Sequence, residues 1–371
     1  MINKIHLKTT ASLVLGSYLD TLGFKNGDWE FNFNNKPVTL KEAMLIQNEI
    51  IHQYHSLGGK DIDISKWNAS DDTIMMLAIK KACDKGGSNN DFIKELINIY
   101  DDLKDNIRAS GWTTLDSLKK LINKKSIKYD VTMGGNGAAM RTSYIGIKYF
   151  KEKDIKLLIE KSIFSSRLTH NFPLGFLGGL VTALFTSYAI RNINPFKWAE
   201  MFLELEKSGI IDEYMMTTNV KEKYMEDKND FFKLWYQYVE QRLPRFELKS
   251  REFLFCADRY DDLLKYTPGV KANGKADFSK LASTGVGATI IAYDSLLMSI
   301  SSVSNEINDI NKLKYSWDNL IFYSTLHFGD NDSTGIIAGC WFGALRAFND
   351  ISNDQVDFIK SQLEFKKDLI L

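Results

Sequence analysis

At 371 residues, with 44% hydrophobic and 25% charged side chains, the chain is long enough to bury a sizeable core and has the composition of an ordinary globular protein. Its 47 basic residues balance its 47 acidic residues, so the net charge gives no indication of nucleic-acid binding or of attraction to an anionic membrane. Three widely spaced cysteines form neither a CxxC pair nor a disulfide framework, and the N-terminus has no signal-peptide pattern, so we expect a cytoplasmic protein.

Helical periodicity dominates the chain, since apolar residues recur at three-to-four spacing and only five prolines occur. In chain order, the predicted helices are 73–83, 91–103, 138–147, 154–165, 176–190, 195–207, 227–241, 287–301, 312–325 and 335–347. Strands do not alternate with helices, which argues against a parallel α/β sheet. The pattern predicts an all-α fold, a single globular domain of many helices.

Three stretches call for separate interpretation. Residues 29–33 alternate between apolar and polar side chains before two asparagines, which predicts one short hairpin. The apolar run 176–190 is too short to cross a bilayer and predicts a buried helix. The segment 207–280 is charge-rich and carries no chemical motif. We interpret it as a candidate peripheral helical subdomain within one domain, residues 1–371.

Two acidic motifs, 70–73 (SDDT) and 329–334 (GDNDST), each end a polar turn and precede an apolar helix. Helix capping is one interpretation, because Ser, Thr and Asp side chains accept hydrogen bonds from free backbone N–H groups. A cap needs only one side-chain oxygen, however, and crowded carboxylates raise each other's pKa unless a cation offsets them. Oxygen donors without His or Cys are the ligands that Mg²⁺ or Ca²⁺ prefers. If the two turns meet in space, they have enough carboxylates to hold two metal ions.

The glycine-rich stretch 133–139 (MGGNGAA) and His170 each allow two interpretations. The glycines suit close approach of a phosphate or ribose, or simply a tight loop before a helix. They are not a Walker loop, because the Gly-Lys-Ser/Thr ending is missing. His170 is a candidate general base, but a hydrogen-bonded structural histidine is the favoured interpretation.

The chain resembles the ADP-ribosylglycohydrolase family, most closely its ADP-ribosylarginine hydrolase branch. Five stretches carry the resemblance, occur in family order and cover nearly the whole chain. They are the N-terminal loop 26–31 (NGDWEF), the metal motif 70–73, the glycine-rich loop 135–141 (GNGAAMR), the central stretch 167–178 that is similar to RxTHxxPxGxLG, and the metal motif 329–339. One of these motifs alone is moderate support, whereas five in register make the resemblance specific.

This resemblance implies an all-α domain with two Mg²⁺ ions at the base of a cleft. The implied metal ligands are Ser70, Asp71, Asp72, Asp330, Asp332 and Ser333. Asp71 and Asp72 are expected to position or deprotonate the water that attacks the anomeric carbon. Glu30 is similar to the family's loop glutamate, which gates or positions the substrate. The implied substrate-binding residues are Gly135, Asn136, Gly137, His170, Ser283 and Gly285.

Three positions depart from the family pattern. Residues 19–23 (LDTLG) correspond to the family's GDALG, with Leu19 in place of the first glycine and Asp20 retained. Phe172 stands where a histidine is usual. The family's GHDAP near the adenosine subsite corresponds to 285–289 (GVGAT), which lacks the histidine and the carboxylate. The nucleotide affinity or the choice of substrate is therefore open.

The activity implied by the resemblance is hydrolysis of the N-glycosidic bond between ADP-ribose and arginine side chains of modified proteins. Two alternatives stay open: a hydrolase of another linkage, such as ADP-ribosylserine or a nucleotide metabolite, and a non-catalytic ADP-ribose-binding paralogue. The paralogues typically lose acids from the metal motifs, and this chain retains them. The expected partners are ADP-ribose and ADP-ribosylated proteins, with no nucleic acid and no membrane, and the expected state is a monomer.

Overall fold

Helices form most of the part of the chain that the structure describes. This computed structural model describes residues 2–31, 36–105, 107–247, 257–267, 271–272, 275–300 and 307–371. The α-helices in these ranges are α1 (Ile2–Phe24), α2 (Leu40–Ser56), α3 (Asp71–Asp84), α4 (Asn89–Asn98), α5 (Tyr100–Leu103), α6 (Trp112–Ile122), α7 (Ser143–Lys148), α8 (Ile155–Arg167), α9 (Pro173–Ile190), α10 (Trp198–Lys207), α11 (Ile210–Met215), α12 (Lys221–Gln237), α13 (Ala257–Leu263), α14 (Gly285–Met298), α15 (Trp317–Thr325), α16 (Asn331–Arg346), α17 (Asn353–Gln362) and α18 (Lys366–Leu369). Two short strands, β1 (Lys271–Ala272) and β2 (Lys275–Ala276), pair antiparallel.

The predicted all-α, single-domain fold is confirmed. Every predicted helix coincides with a helix of the structure, although the bounds differ by several residues. The predicted helix 91–103 is broken at Ile99 into α4 and α5. The predicted helix 138–147 begins as a 3₁₀ turn, Ala139–Arg141, and continues as α7. Residue 301 of the predicted helix 287–301 lies outside the described residues.

Several helices, among them α1, α2 and α6, are absent from the sequence prediction. In α1, residues 8–24 are all buried, so no polar face reveals the helical period. In contrast, α2 is amphipathic and begins with a capping box between Thr39 and Glu42, a signal that the sequence does contain. The omission of α1 matters most, because this helix contributes to the acidic cluster described below.

The predicted hairpin at 29–33 is wrong where the structure describes it. Residues 29–31 form bends with Phe31 at a φ of 43°, and residues 32–35 lie outside the described part of the chain. The Trp29 side chain is buried, and its Nε1–H donates a hydrogen bond to Gln53 Oε1 of α2 (2.8 Å). This tertiary contact outweighs the local alternation of apolar and polar side chains.

The centre of the fold is α9, whose residues are all buried except Leu174. It packs against α7, α8, α14 and α16. By length and composition α9 could cross a membrane, but 94% of it is buried inside the protein. The prediction of a buried helix is confirmed, and the helix begins at Pro173, earlier than predicted.

Helices α1 and α16 pack along most of their lengths at a seam of glycines. A Cβ atom at Gly339 would come within 2.7 Å of the Leu15 carbonyl oxygen. One at Gly343 would come within 2.4 Å of the Ala11 backbone. Side chains cannot be accommodated at these distances, so the two backbones touch directly. The seam brings the C-terminal part of α1 beside the acidic motif at the start of α16.

The segment 207–280 is attached to the centre of the fold by packing and by ion pairs. Helix α12 packs on α9. In the turn after α12, Arg242 donates hydrogen bonds to Asp294 of α14 (2.8 and 3.2 Å) and to Asp262 (2.9 Å). Arg259 of α13 donates another to Asp294 (2.9 Å). We call these four residues, Arg242, Arg259, Asp262 and Asp294, the buried ion cluster. Whether the segment acts as a peripheral subdomain stays a prediction.

Candidate active site

The first acidic motif forms the N-terminus of α3. Ser70 is the N-cap: its Oγ accepts a hydrogen bond from the backbone N–H of Asp72 (3.1 Å). Asp71 and Asp72 occupy the first helical turn, and both are buried. The capping interpretation therefore holds for Ser70, whereas neither carboxylate supplies the cap oxygen.

The second acidic motif forms the N-terminus of α16, with Asp330 as the N-cap that accepts from the Ser333 N–H (3.3 Å). His327 holds this turn through both of its ring nitrogens. Its Nδ1 accepts from the Gly329 N–H (2.9 Å), and its Nε2 lies 2.8 Å from Thr334 Oγ1. Since a backbone N–H only donates, the ring proton is on Nε2. Burial lowers the pKa of His327 to about 3, so the ring stays neutral.

A carboxylate of α1 organises the first motif. Asp20 accepts hydrogen bonds from the backbone N–H and the Oγ of Ser70 (3.3 and 2.6 Å). It also accepts from the backbone N–H (3.2 Å) and the Oγ1 of Thr73. Asp20 therefore holds the start of α3 with both of its oxygens while α1 itself packs against α16.

The two motifs meet in space and form an acidic cluster. Carboxylate oxygens of Asp20, Asp72 and Asp332 lie within 4.8 Å of one another. Oxygens of Glu30, Asp330 and Asp332 form a second group within the same distance. Asp332 belongs to both groups, so it could bridge two cations, and each group could hold one metal ion.

The raised pKa values of the cluster indicate that its negative charge must be offset by protons or by a cation. Burial and the nearby Asp332 raise the pKa of Asp20 to about 7. The same two causes raise the pKa values of Asp71 and Asp72 well above their usual range, and burial with Asp330 does so for Asp332. The Oδ2 atom of Asp72 is buried and has no hydrogen-bond partner. Such a site binds protons or a cation, and its oxygen-only donors fit Mg²⁺ or Ca²⁺.

Glu30 reaches the cluster from a loop that the second motif holds in place. The Trp29 carbonyl accepts a hydrogen bond from Asn331 Nδ2 (2.9 Å), and the Trp29 ring meets Trp67 edge to face at 6.0 Å. Glu30 itself is half-buried, and burial together with Asp332 raises its pKa well above the usual range. Asn331 therefore connects the Glu30 loop directly to the start of α16.

The glycine-rich loop lies on the other side of the cluster. Asn136 Nδ2 donates a hydrogen bond to Asp330 Oδ2 (2.7 Å). A Cβ atom at Gly137 would come within 2.5 Å of the His170 ring, so this glycine makes room for the histidine. His170 Nδ1 lies 2.8 Å from Thr169 Oγ1, and burial lowers the pKa of His170 to about 3. The geometry favours the structural interpretation of His170, since the ring is neutral and a poor proton acceptor near neutral pH.

Carboxylates of the acidic cluster line a cleft with a volume of about 300 Å³. Eleven predicted site residues line it: Glu30, Asp71, Asp72, Gly135, Asn136, Gly137, His170, Ser283, Asp330, Asp332 and Ser333. Ser70 lies behind them as a helix cap. Gly285 also lies behind the wall, where its N–H donates to the Gly134 carbonyl (3.1 Å) and a Cβ would come within 2.6 Å of the Leu174 carbonyl. The roles of all these residues in binding and catalysis stay predictions.

One wall of the cleft is formed by residues that belong to none of the sequence motifs. This wall consists of the loop before α6, with Ala109 and Gly111, and the first turn of α6, with Thr113 and Thr114. The Asp71 N–H donates a hydrogen bond to the carbonyl of residue 108 in this loop (3.1 Å). No recognisable pattern marks such a contact in the sequence. Asp20 is the aspartate of the stretch that corresponds to GDALG, but its contacts with Ser70 and Thr73 have no signal in the sequence.

Comparisons with known proteins find relatives along nearly the whole chain. The family model described as ADP-ribosylglycohydrolase matches residues 8–369. The chain is 34% identical to ADP-ribosylhydrolase ARH1 of Dictyostelium discoideum, over 94% of this chain and 89% of that protein. It is 32% identical to putative ADP-ribosyl glycohydrolase L444 of Acanthamoeba polyphaga mimivirus, over 91% of this chain and 64% of that protein.

A solved structure shows the same fold. The structure titled "ADP-ribosylglycohydrolase-related protein complex" superposes with a TM-score of 0.55 and covers 99% of this chain and 98% of its own. The sequence identity is 13%, so this likeness concerns the fold alone.

Proposed function

The chain belongs to the ADP-ribosylglycohydrolase family of hydrolases, and from this premise we propose that it cleaves the N-glycosidic bond between ADP-ribose and arginine side chains of modified proteins. The observation that carries the proposal is the acidic cluster that lines the cleft, where two groups of three carboxylates share Asp332. The non-catalytic alternative has less support, because a chain that only bound ADP-ribose would not need this cluster of mutually repelling acids.

We propose that two Mg²⁺ ions occupy the cluster. The residues that would hold them are Asp20, Glu30, Asp72, Asp330 and Asp332, with Ser70, Asp71 and Ser333 beside them. The ions would supply positive charge that orients the ribose hydroxyls and lowers the pKa of a bound water. The fit rests on the raised pKa values and on Asp72 Oδ2, a buried oxygen without a partner.

The side chains themselves would carry the proton transfer. Asp71 and Asp72 both line the cleft, and either can accept a proton from the attacking water. The water oxygen bonds to the anomeric carbon, and the C–N bond breaks with its electron pair going to the guanidine nitrogen. That nitrogen then takes up the proton held by the carboxylate. The surrounding negative charge stabilises the oxocarbenium-like character of the sugar during this step.

The choice of arginine as the linkage rests on the loop that carries Glu30. Residues 26–31 resemble the N-terminal loop of the ADP-ribosylarginine hydrolase branch, and Glu30 faces the cleft. A positively charged guanidinium at the scissile bond also suits a site crowded with carboxylates. We propose that Glu30 positions this end of the substrate.

The test is release of ADP-ribose from arginine-modified and serine-modified proteins, side by side, with Mg²⁺ and with chelator. We expect metal-dependent release from the arginine-modified protein alone. Asp71→Asn should abolish release while the fold persists, and Asp354→Asn, an exposed carboxylate of α17, is the matched control. Release from serine alone would overturn the linkage, and full activity in chelator would overturn the role of the metal.

A further inference from the structure

Two large apolar side chains are exposed on the loop that forms one wall of the cleft. Trp112, the first residue of α6, is 76% exposed, and Ile107 is 57% exposed. Tryptophan is among the most costly side chains to leave in water, because it offers a large apolar area. Exposed apolar groups at the edge of a binding groove commonly mark a contact surface.

The position of Trp112 at the cleft is defined by its neighbours. Gly111 and Thr113 line the cavity on either side of it, whereas Trp112 is not among the lining residues. The indole therefore points outwards from the rim and not into the space that the acidic cluster lines. A small ligand lying wholly within the cleft would not cover it.

Between the two exposed apolar residues, Arg108 and Ser110 attach the rim to neighbouring parts of the fold. The Arg108 guanidinium donates hydrogen bonds to the Ala69 carbonyl (2.6 Å) and to both carboxylate oxygens of Glu364 (3.0 and 2.7 Å). The Arg108 carbonyl accepts from the Asp71 N–H, and Ser110 is buried. The rim is thereby fixed relative to the first acidic motif.

We propose that Ile107 and Trp112 form a docking surface for the polypeptide that carries the modified arginine. This inference rests on the proposed function and names the part of the substrate that lies outside the cleft. A cavity of about 300 Å³ has no space for a folded target protein, so its surface must lie against the rim when the modified side chain is inside. Trp112 lies between two lining residues of the cleft, so the docking surface begins at the cleft wall, where this contact would form.

The charge of the chain that precedes the docking surface suits a basic target. Asp101 and Asp102 of α5 and Asp105 of the connection to α6 are exposed, and Lys104, which lies between them in the chain, pairs with Asp101. The arginine side chains of a basic target segment would pack their aliphatic parts against the indole and place their guanidinium groups near these acids. The partner that the surface fits is therefore a basic polypeptide segment.

The experiment compares two substrates, an arginine-modified protein and free ADP-ribosylarginine, for the wild type, Trp112→Ala and Ile107→Ala. Leu7→Ala is the matched control, since Leu7 is an apolar residue of α1 that is 46% exposed at the opposite end of the α1–α16 seam. Loss of a central apolar anchor commonly weakens binding about tenfold or more. We expect Trp112→Ala to raise KM for the modified protein about tenfold. We expect kcat, and both constants for free ADP-ribosylarginine, to stay near the wild-type values. Ile107→Ala should have a smaller effect in the same direction.

Three outcomes would overturn the inference. An equal loss on both substrates would mean that Trp112 contacts the ADP-ribose moiety, and no change on either would mean that the indole has no role in docking. In both cases the proposed function would stand. If the wild-type protein cleaved neither substrate, the proposed function would fail and the inference would fall with it.

Discussion

Two regions of the described chain each bury several carboxylates, and the pKa values of these carboxylates shift in opposite directions. In the buried ion cluster, burial alone would raise the pKa of Asp294, but Arg242 and Arg259 lower it below its usual value. At the candidate active site, Asp72 and Asp332 are buried without a salt bridge to any described basic side chain, and their pKa values rise. Burial is the same in both regions, and what differs is whether the chain provides the cations. The first region can stabilise the fold alone, whereas the second depends on a partner from solution.

The largest effect should follow from removing Asp332, the carboxylate that belongs to both groups of the acidic cluster. We expect Asp332→Asn to lower kcat/KM on the order of 10³-fold, because it weakens both groups at once. Thermal unfolding in Mg²⁺ and in chelator, measured alongside activity, should show that the stabilisation by Mg²⁺ is also reduced. Asp354→Asn is again the control for the loss of one carboxylate. If the Asp332→Asn protein were active and its response to Mg²⁺ unchanged, the acidic cluster would not depend on a cation from solution, and the contrast with the buried ion cluster would be wrong.

The next largest effect should appear in the buried ion cluster, on stability. Asp294→Asn leaves two buried guanidinium groups without their shared carboxylate, and breaking such a pair costs about 3–5 kcal/mol. Urea unfolding should show this loss, while the folded fraction retains its activity and its response to Mg²⁺. Normal stability combined with lost activity would reverse the roles that we assign to the two regions.

The smallest effect should be a dependence of stability on pH that the metal suppresses. The carboxyl groups of the acidic cluster have raised pKa values in the folded state, about 7 for Asp20, so they stabilise the fold at low pH and lose that contribution as pH rises through those values. His170 and His327 have lowered pKa values of about 3 and act in the opposite direction, but only below about pH 6.5. Burial lowers the pKa of Lys8 to about 8, so this group also acts in the opposite direction, but only from about pH 8 upward. Between about pH 6.5 and 8 the carboxyl groups therefore determine the sign.

In chelator, we expect the melting temperature to fall between about pH 6.5 and 8. With Mg²⁺ the fall should be smaller, because the ion binds the deprotonated carboxylates. Potassium sulfate at equal ionic strength is the control for screening. An equal fall in Mg²⁺ and in chelator would show that these groups do not bind the metal.

The sequence predicts the acidic motifs well because each is a short local pattern. Ser70 and Asp330 are caps whose neighbours carry the carboxylates, and adjacent residues alone reveal this arrangement. The meeting of the two motifs depends on Asp20, which lies fifty residues before Ser70 and is joined to it only by folding. Such a contact leaves no local signal.

The errors in the fold prediction have the same origin. Helix α1 is buried over residues 8–24, so its sequence lacks the polar face that reveals a helix. The stretch that begins at Trp29 alternates like a strand, but the hydrogen bond from its indole to Gln53 fixes a bend. The rim residues Ile107 and Trp112 belong to no motif, and only their exposure in the folded chain makes them informative.

The glycine seam between α1 and α16 has a consequence for how the active site tolerates change. The spacing between the acidic motifs is set along a whole helix length, at positions such as Gly339 and Gly343 that are remote from the cleft. A single methyl group there would act as a wedge, since it would force the two backbones apart. The displacement would tilt the start of α16, and with it Asp332, relative to Asp20. We therefore expect metal affinity to depend on helix packing several turns away from the acidic cluster. Glycines of the seam, which have no side chain, should be among the positions that tolerate substitution least.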